Sequence, residues 1–273
     1  ERCDEVRASL KDALNKHGWD GEWYLQATTD DGLPLGSQAN EEGKIFLMPN
    51  IWAVMSDTAP SDRAETALAS VTRYLLRDYG TLLNYPAFTQ PRPDIGYVTR
   101  YAPGLRENGG VYTHAATWSV WAYALAGQPE HAYQAYRRIC PPNRSADIDA
   151  YKAEPYVLPG NIDGPLSEYY GRGGWTWYTG SAQWLHRVAT HWILGVRPQA
   201  DGLLIDPSIP ADWDSFTVTR RFRGATYDIT VANPDHVSRG VRAVTIDGQP
   251  HASSLLPVFG DDLRHTVHVV MGA

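Results

Sequence analysis

Apolar residues recur at helical spacing up to about Gly195 and at every second position after it, so the pattern predicts a helical portion followed by a β tail. In the first portion the spacing predicts helices over Arg2–His17, Lys44–Ser56, Ser61–Arg77, Thr113–Ala126, Pro129–Ile139 and Ser181–Leu194. The connections 18–43 and 80–110 are longer than ordinary loops, and loops of that length in a compact domain are more often functional than idle. In the tail, Phe216, Val218 and Arg220 alternate with Thr217 and Thr219, and Tyr227, Ile229 and Val231 alternate with Asp228 and Thr230. Turn signals at Arg223-Gly224, Asn233-Pro234 and Asp247-Gly248 punctuate these runs. The expected organisation is a helical domain over 1–195 and a small antiparallel β domain over 196–273. The β strands show no convergent acidic, histidine or cysteine cluster in sequence, so a structural role is expected for them.

One helix start carries chemistry. The run from Gly173 through Trp175, Trp177, Tyr178, Thr179 and Gly180 to Ser181 empties into an amphipathic segment, and Thr179 and Ser181 are helix-capping residue types. Backbone N–H groups at a helix start lack intrahelical partners and carry partial positive charge. With Gly180 allowing close approach, the segment suits an anion, and the aromatic residues ahead of it suit stacking against a sugar. A capped core helix with aromatic packing would use the same residue types.

Composition narrows the partner. The 273 residues hold 43% hydrophobic positions, enough for one large domain or two, and a net charge of −7 without a basic stripe argues against nucleic acid. There are 10 Trp and 16 Tyr against 5 Phe, a bias toward aromatics with a polar handle that suits a polar, sugar-binding cleft. Cys3 and Cys140 are read as free thiols, and no metal site is expected. No stretch approaches the roughly 20 apolar residues of a membrane span, so no membrane partner and a cytoplasmic location are expected. The chain opens on Glu1 inside a predicted helix and is expected to be a piece of something longer.

In the stretch from Tyr101 to His114, a glycine-rich loop can project Glu107 into a cleft, and His114 opens the next predicted helix. The helix dipole favours a neutral imidazole there, unless an anion offsets it. His114 is either a phosphate-binding donor or a packed, capping histidine. Other loop acids are Asp30, Asp31, Glu41, Glu42, Glu154, Asp163 and Glu168. No spacing pairs them as the two carboxyl groups of a glycosidase. No Walker loop, dinucleotide fingerprint, metal-binding helix motif or nucleophile elbow is present.

Gly32-Leu33-Pro34-Leu35-Gly36-Ser37, Asn40-Glu41-Glu42-Gly43-Lys44-Ile45, Arg106-Glu107-Asn108-Gly109-Gly110 with Thr113-His114, Glu154-Pro155-Tyr156-Val157, the 173–181 run and Leu203-Leu204-Ile205-Asp206-Pro207 resemble, in order, the inverting phosphorylases of glycoside hydrolase family 94. The resemblance implies the later part of an (α/α)6 barrel followed by a small antiparallel β-sandwich domain. It implies phosphate binding by His114, Thr179 and Gly180, sugar contact by Glu107, and a place beside the acceptor sugar for Tyr101. The implied reaction is phosphate-dependent, reversible cleavage of a β-linked di- or oligosaccharide, giving an α-sugar 1-phosphate. Inorganic phosphate is a co-substrate, no cofactor is implied, and the complete enzyme is expected to be a homodimer.

The family's general acid is an aspartate in an Asp-Trp-Asn-Asp type motif upstream of the matched region, and that motif is absent here. Ala211-Asp212-Trp213-Asp214 is only superficially similar and falls in the β tail. The expectation is therefore a C-terminal portion without a catalytic acid of its own, inactive alone, partnered by the N-terminal part of the same enzyme or a companion chain. A hydrolase on a similar helical barrel and a non-catalytic sugar-binding fragment are the rival readings.

Overall fold

The computed structural model describes residues 1–177 and 180–272. The chain forms two compact units, one of Glu1–Ala126 with Gln134–Leu185, the other of Gly127–Tyr133 with His186–Ala273.

The first unit opens with α1 (Arg2–His17), which none of its own residues enters the core to hold. Its Val6, Leu10 and Leu14, four residues apart and so on one helix face, are 51%, 57% and 49% exposed. Polar contacts tie it down: Arg7 and Lys11 reach Asp57, while Asn15 donates to the Thr58 carbonyl at 2.8 Å and accepts from the Tyr24 hydroxyl at 2.7 Å. The hairpin β1 (Ala27–Thr28)–β2 (Pro34–Leu35) follows.

Two predicted helices are shorter than their apolar spacing suggests. Ile45–Phe46 forms β3, pairing with β6 (Asn84–Tyr85), so α2 spans only Leu47–Met55. After α3 (Ser61–Tyr74), β4 (Leu76–Arg77) turns back onto β5 (Gly80–Thr81). That turn requires glycine: Gly80 has φ +130°, and a Cβ there would meet Ile139 Cγ2 at 2.6 Å.

A 3₁₀ turn at Tyr97–Arg100 and β7 (Val111–Tyr112) lead into α4 (Thr113–Leu125), which packs against α2. Ala115, Ala116, Val120, Ala122 and Tyr123 of α4 are buried, as expected of a helix apolar on most sides. Next come α5 (Pro129–Ile139), as predicted, and the short α6 (Pro141–Arg144) and α7 (Ile148–Tyr151). Then β8 (Asn161–Ile162) and β9 (Gly173–Gly174) join β7 in a three-stranded sheet of order β7-β8-β9. The last helix, α8 (Ser181–Val188), passes into a π-helical turn at Ala189–Ile193 rather than continuing as α to Leu194. There the Thr190 hydroxyl donates to the His186 carbonyl at 2.8 Å, competing for an acceptor of the ladder.

The second unit holds β10 (Val196–Pro198), β11 (Leu203–Ile205), β12 (Ser215–Phe222), β13 (Ala225–Ala232), β14 (Val241–Ile246), β15 (Gln249–His251), β16 (Leu255–Leu256) and β17 (Arg264–Met271). Strands β10, β11 and β16 form one sheet, and the other has the order β12-β13-β17-β14-β15. The predicted alternation is met in β13, where Ala225, Tyr227, Ile229 and Val231 are all buried. The expectation of a wholly antiparallel tail is corrected: β17 lies between β13 and β14 and runs parallel to β13. Central placement buries Val267, Val269 and Met271, an advantage an edge position would not provide.

A second correction concerns side-chain clusters in the tail. Three turn and strand residues converge: His265 places Nδ1 at 2.7 Å from Asp247 and Nε2 at 3.1 Å from Asp261, with its ring stacked 3.6 Å from Phe259. Period-two alternation shows which side a strand residue faces, but not which turn residues fold over it.

The cysteines are free, as expected. Among the described residues, no helix is long and apolar enough to cross a membrane.

Candidate active site

The sheet β7-β8-β9 assembles the site by pairing segments about fifty and about a dozen residues apart: Val111 with Ile162 and Tyr112 with Asn161, then Asn161 and Ile162 with Gly174 and Gly173. It sits at the start of α4. Thr113 is pinned there, its hydroxyl donating to the Pro159 carbonyl and its N–H to the Gly160 carbonyl at 3.2 Å. Gly160 in turn donates to the Trp175 carbonyl at 3.2 Å. The segment before β8 and the run after β9 are thus fastened around the first turn of α4.

His114, the second residue of α4, is half-buried and held by aromatic rings. Tyr112 stacks parallel at 6.3 Å, Trp118 meets it edge-on at 4.7 Å, and Trp184 of α8 lies at 6.2 Å. Burial pushes the imidazole below its ordinary pKa. The neutral form expected from sequence is therefore favoured by desolvation, with no appeal to the helix dipole needed. Gly180 directly precedes α8, and a Cβ built on it would lie 3.9 Å from His114 Cε1. Two sequence-nominated residues some 65 positions apart are therefore neighbours. Thr179 lies outside the described residues, as does Tyr178.

Tyr101 and Glu107 form a second grouping, joined by Arg106. The Arg106 guanidinium lies over the Tyr101 ring at 4.9 Å and over Trp175 at 4.5 Å, and its Nε is 3.5 Å from Glu107 Oε2. Arg106 has φ +49°, Trp175 +61° and Trp177 +62°, left-handed conformations that bulky residues rarely adopt. Three such residues around one loop cluster store strain, which surrounding contacts must hold.

The loop is clamped by Asn108, fully buried. Its Oδ1 accepts from the Phe88 N–H at 2.7 Å, and its Nδ2 donates to the carbonyls of Phe88 and Tyr101, each at 2.8 Å. Close approach of the neighbouring loop depends on Gly164, where a Cβ would fall 1.9 Å from the Gly109 carbonyl oxygen.

The remaining candidate acids separate by environment. Glu154 accepts from the Trp177 indole at 2.8 Å, and backbone and indole donors hold its carboxyl below the usual range. It is an anchor for the aromatic run. Glu42 accepts from the Thr89 N–H and hydroxyl at 3.0 and 2.5 Å and lines a cleft of about 450 Å³ with Leu33, Asn40 and Arg92. Asp163 is buried, accepts from Asn161 and Ser167 at 3.0 Å each, and is pushed upward by desolvation.

Arg106 and Asn108 lie within sequence motifs that assign them no role, whereas Trp175 belongs to the aromatic run that the sequence suits to stacking on a sugar. The signal for Arg106 was a long side chain in an otherwise glycine-rich loop. Arg172, which shares a cleft with Asp163 and Trp175, carried no sequence signal.

Residues 1–195 match the family model described as the glycosyl hydrolase 94 superfamily, catalytic domain. The chain belongs to that superfamily. It is 38% identical over 267 residues to the solabiose phosphorylase of Paenibacillus borealis, covering 98% of this chain and 35% of that protein. It is 39% identical over 271 residues to the N,N'-diacetylchitobiose phosphorylase of Vibrio proteolyticus, covering 98% and 34%. The cyclic beta-(1,2)-glucan synthase NdvB of Rhizobium meliloti is 39% identical over 231 residues, covering 82% and 8%. This glycosyl hydrolase 94 chain thus spans about a third of the length of the phosphorylases it matches.

Proposed function

We propose that this chain is the C-terminal portion of an inverting β-glycoside phosphorylase, contributing the phosphate-binding and acceptor sides of the site. The observation that carries the reading is the adjacency of Gly180 and His114 at the start of α8. A helix start offers N–H donors, a glycine leaves room for an anion, and a protonated imidazole adds charge. Thr179, which lies outside the described residues, is the further phosphate-binding residue that the family resemblance implies, and Tyr101 and Glu107 face the acceptor sugar. The helical portion 1–195 is part of an (α/α)6 barrel, and 196–273 is a β-sandwich domain. The apolar stripe of Val6, Leu10 and Leu14 fits a helix whose remaining neighbours belong to a longer barrel.

In the reaction, a phosphate oxygen attacks the anomeric carbon from the face opposite the leaving sugar. A carboxylic acid protonates the glycosidic oxygen as that bond breaks, releasing the acceptor sugar and an α-sugar 1-phosphate. Phosphate is already an anionic nucleophile, so one protein acid suffices where an inverting hydrolase needs a second carboxylate as base. That acid is supplied from outside these 273 residues. The substrate is a β-linked di- or oligosaccharide, no cofactor takes part, and the complete enzyme is a cytoplasmic homodimer.

The test has two arms. Titrating the chain with inorganic phosphate should shift the His114 Cε1 proton resonance and raise the imidazole pKa, while His114→Ala abolishes the binding. The chain alone should form no sugar 1-phosphate from phosphate and β-linked disaccharides. Adding the relative-length N-terminal part should yield the α-anomer. Phosphate bound away from His114, or product from the chain alone, overturns the corresponding half of the proposal.

A further inference from the structure

Beside the residues just assigned lies a cleft of about 590 Å³, within the size range of small-ligand sites, lined by Leu105, Asp163, Ser167, Glu168, Arg172 and Trp175 among others. Neither His114, Gly180, Glu107 nor Tyr101 lines it. It is nevertheless continuous with the acceptor grouping, because Trp175 is the platform under Arg106, and Arg106 pairs with Glu107.

Both walls are built rather than incidental. One is the loop 163–172, closed at its base by Asp163 N–H to the Arg172 carbonyl at 2.9 Å and Gly171 N–H to the Asp163 carbonyl at 3.0 Å. Inside that loop the buried Asp163 carboxylate bonds Asn161 and Ser167. The other wall, from Ala102 to Leu105, is fastened to the first by Gly164 N–H donating to the Gly104 carbonyl at 2.7 Å. Gly104 makes that contact possible, since a Cβ there would fall 2.4 Å from the Ser167 nitrogen.

The lining is chemically specific. Trp175 is 51% exposed although its backbone is held in a left-handed conformation, so a flat ring is kept at the cleft at a cost in local strain. Around it stand two carboxylates and one guanidinium, acceptors and a forked donor suited to the vicinal hydroxyls of a sugar. The near balance of charge disfavours a phosphorylated or polyanionic ligand, and the polar rim disfavours a lipid.

We infer that this cleft is a sugar-binding subsite lying beyond Tyr101 and Glu107, which takes the next hexose of an oligosaccharide by stacking on Trp175 and hydrogen bonding to Arg172 and Glu168, while Asp163 braces the wall. It rests on the phosphorylase reading and extends it: the acceptor is a chain of at least two sugars rather than a single one. The wall residues preorganise the cleft, so binding need not order a loop.

Calorimetric titration of the chain with β-1,2- and β-1,4-linked glucose oligomers of two, three and four units tests it. The trisaccharide of at least one series should bind about tenfold more tightly than its disaccharide, the scale of one stacking contact plus a hydrogen bond. Trp175→Ala and Arg172→Ala should each bring that ratio close to one. The ratio is the readout because it cancels any loss at the acceptor residues themselves, and circular-dichroism melts verify that both variants fold. Equal affinities for all lengths, a ratio that survives both substitutions, or no sugar binding by the folded chain overturns the subsite. If His114 still responds to phosphate in that event, the phosphorylase reading stands without it. A length gain with no phosphate response would leave a sugar subsite and remove the phosphorylase.

Discussion

The environment of His114 makes a pH dependence testable at a single residue. Burial lowers its pKa, so at neutral pH the ring is neutral, and a phosphate bound beside it must raise that pKa by favouring the imidazolium. Phosphate affinity should therefore climb as pH falls toward the His114 pKa and level off below it, apart from the phosphate's own titration. His114→Gln should flatten the climb. Gly180→Ala separates space from chemistry: with the nearest atom 3.9 Å from the added carbon, the variant should fold with an unchanged melting temperature. Its methyl group, directed at the imidazole, should weaken phosphate binding by about tenfold, of the order of losing one charge-assisted hydrogen bond. A variant that binds phosphate normally would move the anion away from Gly180.

At the scale of elements, the loop bearing Tyr101 and Glu107 is positioned by Asn108 more than by any residue that would touch a sugar. Its three hydrogen bonds hold the segment carrying Phe88 and the carbonyl of Tyr101 together in a buried place. Asn108→Ala should cost about 2–4 kcal/mol, since each lost bond is worth roughly 1 kcal/mol and the Phe88 N–H is left unpaired. Chemical denaturation measures it, and a loss under about 1 kcal/mol would show that the loop is held elsewhere. In α1, by contrast, Leu10 is 57% exposed, so Leu10→Glu in this chain should change stability by no more than about 0.5 kcal/mol.

For the molecule as a whole, His265 and His191, both in the second unit, set opposite edges to its pH stability. His265, gripped by Asp247 and Asp261, has its pKa raised by those carboxylates. Its contribution is full below the unfolded value near 6.5 and is lost as pH rises through the folded value. His191 is pushed down to about 4 by burial and by Arg187, Arg220 and Arg197. It is neutral in the fold, so stability present above about 6.5 is lost as pH falls toward 4. Melting curves followed on this unit should show a maximum between the two. His265→Gln should remove the alkaline decline and keep the acid one; a decline that persists in the variant would assign it to another group.

Much of the helical layout was legible because period 3.6 is local. Arg2–His17 and Pro129–Ile139 need no distant partner to be recognised, and the alternation in Ala225–Ala232 is likewise carried by adjacent residues. The family was also readable, because its motifs are contiguous. What the sequence could not contain was pairing. Ile45–Phe46 leaves the helical pattern for a strand only because Asn84–Tyr85 stands beside it, and β17 runs parallel to β13 because it returns to the middle of the sheet. The cluster of His265 with two aspartates, the stack of Arg106 between Tyr101 and Trp175, and the approach of Gly180 to His114 each join residues whose separation along the chain has no period. Those contacts are decided by which surfaces find cover when the chain closes, and only the tertiary structure records that outcome.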